Sequence, residues 1–144
     1  MFFRKKLLSP IEEQRLMKAI KDAELMTSGE IRIHIEAICK GDPLDACKKK
    51  FEQLQMHQTK DRNGILFYLA LKSKSFAVWG DEGIHQKVND EFWTSITDCA
   101  LTHFKNGDFL VGMETVVKLC GEKLKHYFPI QSDDKNELSN DISY

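Results

Sequence analysis

Hydrophobic residues recur along the first third of the chain with a period that changes from helix to strand and back. The capping box Ser9-Pro10-Ile11-Glu12 predicts the start of a helix, whose apolar stripe ends near Met26. Strict alternation from Glu30 to Ile38 then predicts a strand with one face in water. That wet face carries Arg32, His34 and Glu36. A narrow apolar stripe over 44–54 predicts a second helix.

The middle of the chain contains the predicted centre of a sheet. The segment from Gly64 to Leu71 is apolar without alternation, which is typical of a strand covered on both faces. A short polar link precedes Phe76 to Trp79, so these two strands form an antiparallel hairpin. A helix connects the first two strands, which therefore run parallel. Apolar stripes over 88–100 and 109–124 predict two more helices, the second capped by Asp108.

The order of these elements predicts an α/β fold in which helices cover both faces of a small mixed sheet. Residues 9–130 carry all the periodic segments and form the predicted domain. Residues 1–8 form a basic N-terminal arm that contains Arg4-Lys5-Lys6. Residues 131–144 carry four acidic side chains against one lysine, so we expect a flexible acidic tail with little to bury.

Composition narrows the class of protein. Among 144 residues, 21 basic and 22 acidic side chains leave a formal net charge of -1, so no overall field attracts nucleic acid. The longest apolar run, Ile65 to Leu71, is too short to span a bilayer, and no export signal is visible. Four cysteines without a C-x-x-C pair favour reduced, packed thiols over a disulfide or a zinc site. We therefore expect a cytoplasmic protein without a transmembrane segment or a nucleic-acid partner.

Three polar turns are predicted to meet at one edge of the sheet. The starts of the first two strands lie side by side, and the end of the third strand lies beside the start of the second. Turns 27–30, 61–64 and 80–83 therefore converge. Their carboxylate and amide oxygens suit calcium or magnesium better than zinc. The candidate metal ligands are Asp81, Glu82, Asp61, Glu30 and Asn63.

Other interpretations of these turns stay open. Arg62 lies among the acids, where it either neutralises them or grips a phosphate. Acidic, glycine-bearing turns are common at strand ends, and ligands of open α/β sheets usually bind at the opposite, carboxyl edge. The chain has no nucleotide-binding loop, hydrolase elbow or zincin motif. No cysteine is followed by an arginine six positions later, as a cysteine-phosphatase loop requires.

Four segments, in order and at suitable spacing, resemble the TPM domain family from about Ser9 to Pro129. They are Ala23-Glu24 with Thr27-Ser28-Gly29-Glu30-Ile31-Arg32, Arg62-Asn63-Gly64-Ile65-Leu66, Gly80-Asp81-Glu82-Gly83-Ile84, and Phe104-Lys105-Asn106-Gly107-Asp108-Phe109 with Gly112. The resemblance implies a three-layer α/β/α sandwich around a small sheet. It also implies divalent-cation binding, typically of calcium, in acidic loops, and a phosphatase activity known from plant members.

These expectations lead to one main hypothesis and two alternatives. We expect a TPM-domain protein that binds a divalent cation, calcium or alternatively magnesium, and acts as a soluble interaction module for a protein partner. The first alternative is a metal-dependent phosphomonoesterase at the same acidic edge, with Arg62 as the residue that stabilises the charge on the phosphate. The second is a purely structural partner protein.

Overall fold

The computed structural model describes residues 7–131 and 136–144, which form five helices and three strands. Their order confirms the alternation that the hydrophobic pattern predicts. The elements are α1 (Pro10–Glu24), β1 (Glu30–Glu36), α2 (Pro43–Gln53), β2 (Gly64–Ala70), β3 (Ser75–Gly80), α3 (Glu82–His85), α4 (Asp90–Lys105) and α5 (Phe109–Tyr127).

The helix ends follow local sequence chemistry. At the start of α1, Glu12 N–H donates to Ser9 Oγ at 3.2 Å while Ser9 N–H donates to Glu12 Oε1 at 2.8 Å, which confirms the predicted capping box. Asp108 caps α5 by accepting from Val111 N–H. The short helix α3 was not predicted, because four residues are too few to show a helical period. None of the helices in the described part of the chain is long and apolar enough to cross a membrane.

The sheet has the order β1-β2-β3, with β2 in the centre. β1 and β2 are parallel, with Glu30 opposite Gly64, whereas β2 and β3 are antiparallel, with Ile65 opposite Gly80. Every residue of β2 is buried, as expected for an apolar strand without alternation. Both predicted strand pairings are therefore confirmed.

Helices pack on both faces of this sheet. The larger core lies between one face and α1, α4 and α5, and the smaller core lies between the other face and α2. This arrangement is the expected α/β/α sandwich. The four cysteines are free thiols, and Cys47 and Cys120 are buried in the smaller and the larger core respectively. Burial raises the pKa of both thiols.

One prediction about exposure is wrong, since His34, expected on a wet strand face, is fully buried. Residues 136–144, which belong to the predicted tail, lie along the outer edge of β1. The reason is that this acidic segment contains apolar side chains that can be buried, above all Ile142, which is 7% exposed. The remainder of the predicted arm and tail, residues 1–6 and 132–135, lies outside the described residues; Leu8 is buried in the larger core.

Candidate functional site

The three predicted turns do meet at one edge of the sheet. Glu30 N–H donates to the Asn63 carbonyl at 3.2 Å, and Asn63 Nδ2 donates to the Ser28 carbonyl at 3.2 Å. On the other side of β2, Asp81 N–H donates to the Gly64 carbonyl at 2.9 Å. Asn63 is buried between the turns, so its amide side chain fastens two of them together.

One corner of this edge holds an arginine between two acids. Arg62 Nε lies 2.7 Å from Asp81 Oδ2 and Arg62 Nη2 lies 2.8 Å from Asp81 Oδ1, a bidentate pair. Arg62 Nη1 lies 3.1 Å from Glu82 Oε1. The hydrogen bonds to Asp81, and then the nearby negative charges, raise the pKa of Arg62. The guanidinium therefore binds both carboxylates. Arg62, Asp81 and Glu82 together are called here the acid corner.

The two carboxylates differ in exposure. The Asp81 side chain is only 5% exposed, the Glu82 side chain is 61% exposed, and Arg62 is 39% exposed. Asp81 is also the N-cap of α3, since its Oδ1 accepts from Glu82 N–H at 2.8 Å. The acid corner thus combines the nearly buried carboxylate of Asp81 with the guanidinium of Arg62, which reaches solvent on a long side chain.

Close backbone contact sets the shape of the acid corner. Arg62 adopts a left-handed backbone conformation with φ of 49°, and its carbonyl accepts from Gly83 N–H at 2.9 Å. A Cβ atom at Gly83 would collide with the backbone carbonyls of Asp61 and Arg62. Glycine at this position therefore allows the turn before β2 to touch the turn after β3.

Glu30 belongs to a different environment from the acid corner. It lies on β1, and the two sites are separated by the central strand, roughly 10 Å for two strand spacings. Its Oε1 accepts from Leu138 N–H at 2.6 Å, while its Oε2 is buried and has no hydrogen-bond partner in the part of the chain that the structure describes. Burial raises the pKa of Glu30 to about 7. Glu30 therefore faces the C-terminal segment.

The five predicted ligands are thus distributed over four positions. Asp81 and Glu82 share the acid corner, Glu30 lies under residues 136–144, and Asn63 is used between the turns. Asp61 is exposed on the turn before Arg62. Within residues 7–131 and 136–144, no group of three or more His, Cys, Asp or Glu side chains is arranged to hold a metal ion.

A cleft of about 430 Å³ opens beside the acid corner. The indole of Trp79 forms one wall, with the His85 ring 4.5 Å from it between centroids. The cleft therefore combines an aromatic wall with titratable groups of both signs. The polar side chains that line it are Glu52, His57, Arg62, Asp81, Glu82, His85 and Gln86.

The sequence analysis missed a polar network on β1. His34 Nδ1 lies 2.8 Å from Ser143 Oγ and His34 Nε2 lies 2.9 Å from Glu36 Oε1, while the Tyr68 hydroxyl donates to Glu36 Oε2 at 2.5 Å. Burial lowers the pKa of His34 despite its bond to Glu36. The sequence signal for this network was the run Ile142-Ser143-Tyr144, in which an apolar, a hydroxyl and an aromatic residue follow one another. Such a run is unusual in a segment that stays in water.

These elements define an α/β/α sandwich domain whose acidic turns meet at the amino edge of a parallel strand pair. The chain belongs to the TPM domain family, whose model matches residues 2–123. It is similar to the BA42 protein of the psychrophilic bacterium Bizionia argentinensis, known from an NMR structure. The two are 39% identical over 99% of each chain, with a TM-score of 0.90.

Two more distant NMR structures share the fold. The N-terminal domain of the cg2496 protein from Corynebacterium glutamicum is 12% identical, over 96% of this chain and 81% of that one, with a TM-score of 0.65. The N-terminal domain of a P. gingivalis protein is 21% identical, over 85% of this chain and 79% of that one, with a TM-score of 0.67. No curated protein matches the chain.

Proposed function

We propose that this TPM domain binds a divalent cation, calcium in preference to magnesium, at the acid corner and acts as a cation-responsive interaction module. Asp81 and Glu82 would supply carboxylates, and Asp61 would join them from the adjoining turn. Oxygen donors of this kind are the ligands that calcium takes in proteins. The observation that carries the proposal is the nearly buried Asp81 carboxylate. Both of its oxygens accept hydrogen bonds from the Arg62 guanidinium, which reaches solvent.

Cation binding at this corner is an exchange. The Arg62 guanidinium occupies the Asp81 and Glu82 carboxylates in the absence of the ion, so the ion must displace it. Because Arg62 reaches solvent, its charged group can be hydrated once released. We expect weak binding, with a dissociation constant on the order of 10⁻⁴ to 10⁻³ M, because the site supplies few charged ligands and the ion must displace the guanidinium.

A calcium and magnesium titration followed by amide NMR tests this proposal. We expect shifts confined to residues 61–64 and 80–84. Arg62→Ala should bind calcium about tenfold more tightly, because the competing charge is gone, about 1.4 kcal/mol by the tenfold rule of affinities. Asp81→Asn should lose binding. Arg15→Ala is the matched control, since Arg15 also pairs with a carboxylate, that of Glu114, on a distant helix surface.

Two results would contradict the proposal. The first is the lack of shifts in these turns at about 10 mM ion, well above the affinity expected for a weak site. The second is equal calcium affinity of the Arg62→Ala variant and the unmodified protein, since the exchange then does not occur.

The cleft beside the acid corner supports phosphomonoester hydrolysis as a second candidate function. Arg62, His57 and His85 line it together. In this reaction a water oxygen forms a bond to phosphorus as the P–O bond to the alcohol breaks, and the proton that the water loses is balanced by protonation of the leaving alcohol. Arg62 stabilises the charge on the equatorial oxygens. Hydrolysis of p-nitrophenyl phosphate, with calcium or magnesium present, measures it. Arg62→Ala should abolish turnover while cation binding persists, and unchanged turnover in that variant would exclude this role of Arg62.

A further inference from the structure

The outer edge of β1 carries an extended segment of the same chain. β1 is an edge strand of the sheet, and Ile35 N–H donates to the Ser143 carbonyl at 2.8 Å while Ser143 N–H donates to the Ile33 carbonyl at 2.9 Å. These two bonds enclose His34 and form a parallel bridge. Main-chain pairing of this kind is how sheet edges bind extended peptides.

Side chains of the segment occupy defined positions at this edge. Ile142 enters the larger core, and Leu138 packs against the smaller core on the other face of the sheet. The Ser143 hydroxyl contacts His34 Nδ1, which is otherwise fully buried. The edge therefore selects two apolar residues four positions apart and a hydroxyl residue directly after the second.

The segment does not satisfy all the polar groups that the edge presents. Among the described residues, Arg32 Nε and Glu30 Oε2 are both buried without hydrogen-bond partners, although each side chain bonds to the segment through another atom. Apart from its anchors the segment has exposed residues, Asn136 and Glu137 before Leu138 and Ser139 and Asp141 between Leu138 and Ile142. An occupant that leaves a buried donor and a buried acceptor unpaired is held less tightly than the rest of the sheet.

We infer that the edge of β1 is a peptide-binding site, that residues 136–144 occupy it as a self-ligand, and that it binds an extended peptide of the same chemistry in trans when this segment is released. The ligand class is an extended protein segment with the pattern apolar, three residues, apolar, hydroxyl. The tethered segment competes at an effective concentration of about millimolar, so the site is closed in the resting chain.

Amide hydrogen exchange in the full chain tests the inference. Ser143→Pro removes the N–H that bonds to Ile33, so exchange at Ile35 should accelerate at least tenfold while Phe67, on the central strand, stays protected. Adding a synthetic peptide with the sequence of residues 136–144 should restore protection at Ile35. The same peptide with Ile142→Asp should not. In the unmodified protein, exchange at Ile35 should not change when either peptide is added at the same concentration.

Three outcomes overturn the inference. Ile35 could stay protected in Ser143→Pro, the opened edge could fail to respond to several millimolar peptide, well into the range of tethered competition, or both peptides could act equally. If the Ser143→Pro variant also loses protection at Phe67, the experiment is repeated with Ile142→Ala, a milder substitution for releasing the segment from the β1 edge. Global loss in both variants would mean that the segment is an integral part of the fold, which likewise contradicts a removable self-ligand.

Discussion

Two acidic regions lie at the same end of the sheet and are closed in different ways. At the acid corner, Asp81 is covered by a side chain, the guanidinium of Arg62. At the β1 edge, Glu30 is covered by backbone, through Leu138 N–H of the C-terminal segment. A guanidinium cover can be exchanged for another cation, whereas a backbone cover takes the acid out of water, and burial raises the pKa of Glu30 despite the bond from Leu138 N–H. The comparison predicts ion sensitivity at one region and pH sensitivity at the other.

The substitution Gly83→Ala should break the acid corner and have the largest effect. A Cβ there meets the backbone of Asp61 and Arg62, so the two turns must separate. We expect the free energy of unfolding to fall by about 2–3 kcal/mol, as for an overpacked site, measured by urea denaturation. Gly41→Ala is the control, since nothing lies within 4 Å of its Cβ position. Equal stability of the two variants would show that the turns are not in contact.

The β1 edge should make stability depend on pH. Burial raises the pKa of Glu24 and of Glu30 to about 7 from an ordinary value near 4.5. Between these values the folded state holds protons that the unfolded state has lost. The contribution of these two acids to stability is therefore fully present below about pH 4.5 and is lost as the pH rises to about 7. Urea midpoints across this range measure the slope.

Glu30→Gln should flatten this pH dependence, because the amide cannot ionise and its oxygen can still accept from Leu138 N–H. Glu52→Gln, at an exposed acid, should leave the slope unchanged. A slope that is the same in all three proteins would show that Glu30 is already ionised in the folded state below pH 7.

Removal of Arg62 should sharpen the contrast between the regions. In Arg62→Ala the nearly buried Asp81 carboxylate is left without its partner, so the melting temperature should fall without calcium. Millimolar calcium should restore it more than it raises that of the unmodified protein, because the ion replaces the lost charge. Hydrogen exchange at Ile35 should not change. Arg62→Lys, which keeps the charge without the fork, should lie between the two.

The smallest effect is expected from Ser143→Ala. It removes the hydroxyl that contacts His34 Nδ1 and keeps the main-chain bonds to β1. A loss of about 1 kcal/mol in the free energy of unfolding is typical of one hydrogen bond with a buried partner. Ser139→Ala, at an exposed position of the same segment, should lose less. A larger loss for Ser139→Ala would place the anchor of the segment elsewhere.

Much of the fold follows from local pattern. The apolar run from Gly64 to Ala70 identifies the central strand, and the capping box at Ser9 identifies the start of α1, because each signal depends only on neighbouring residues. Strand direction also follows, since a helical crossover makes one pair parallel and a short link makes the other antiparallel. The meeting of the three turns is a consequence of these directions.

The grouping of the candidate ligands did not follow from the sequence. Glu30 and Asp81 occur in turns at the same edge of the sheet, yet the central strand separates them and each has a different partner. Which side chain an acid contacts depends on side-chain directions and on what covers the strand, and a linear pattern contains neither.

The sequence by itself determined the elements, their directions and the turn residues that meet, because periodicity, capping and connection length act locally. Only the tertiary structure decided that Arg62 neutralises Asp81 and that the C-terminal segment buries His34 and Glu30. Contacts of this kind join residues 19 to 109 positions apart. They form because burial of Ile142 and pairing of charge lower the free energy of the assembled chain, and the residues around one partner of such a contact do not identify the other partner.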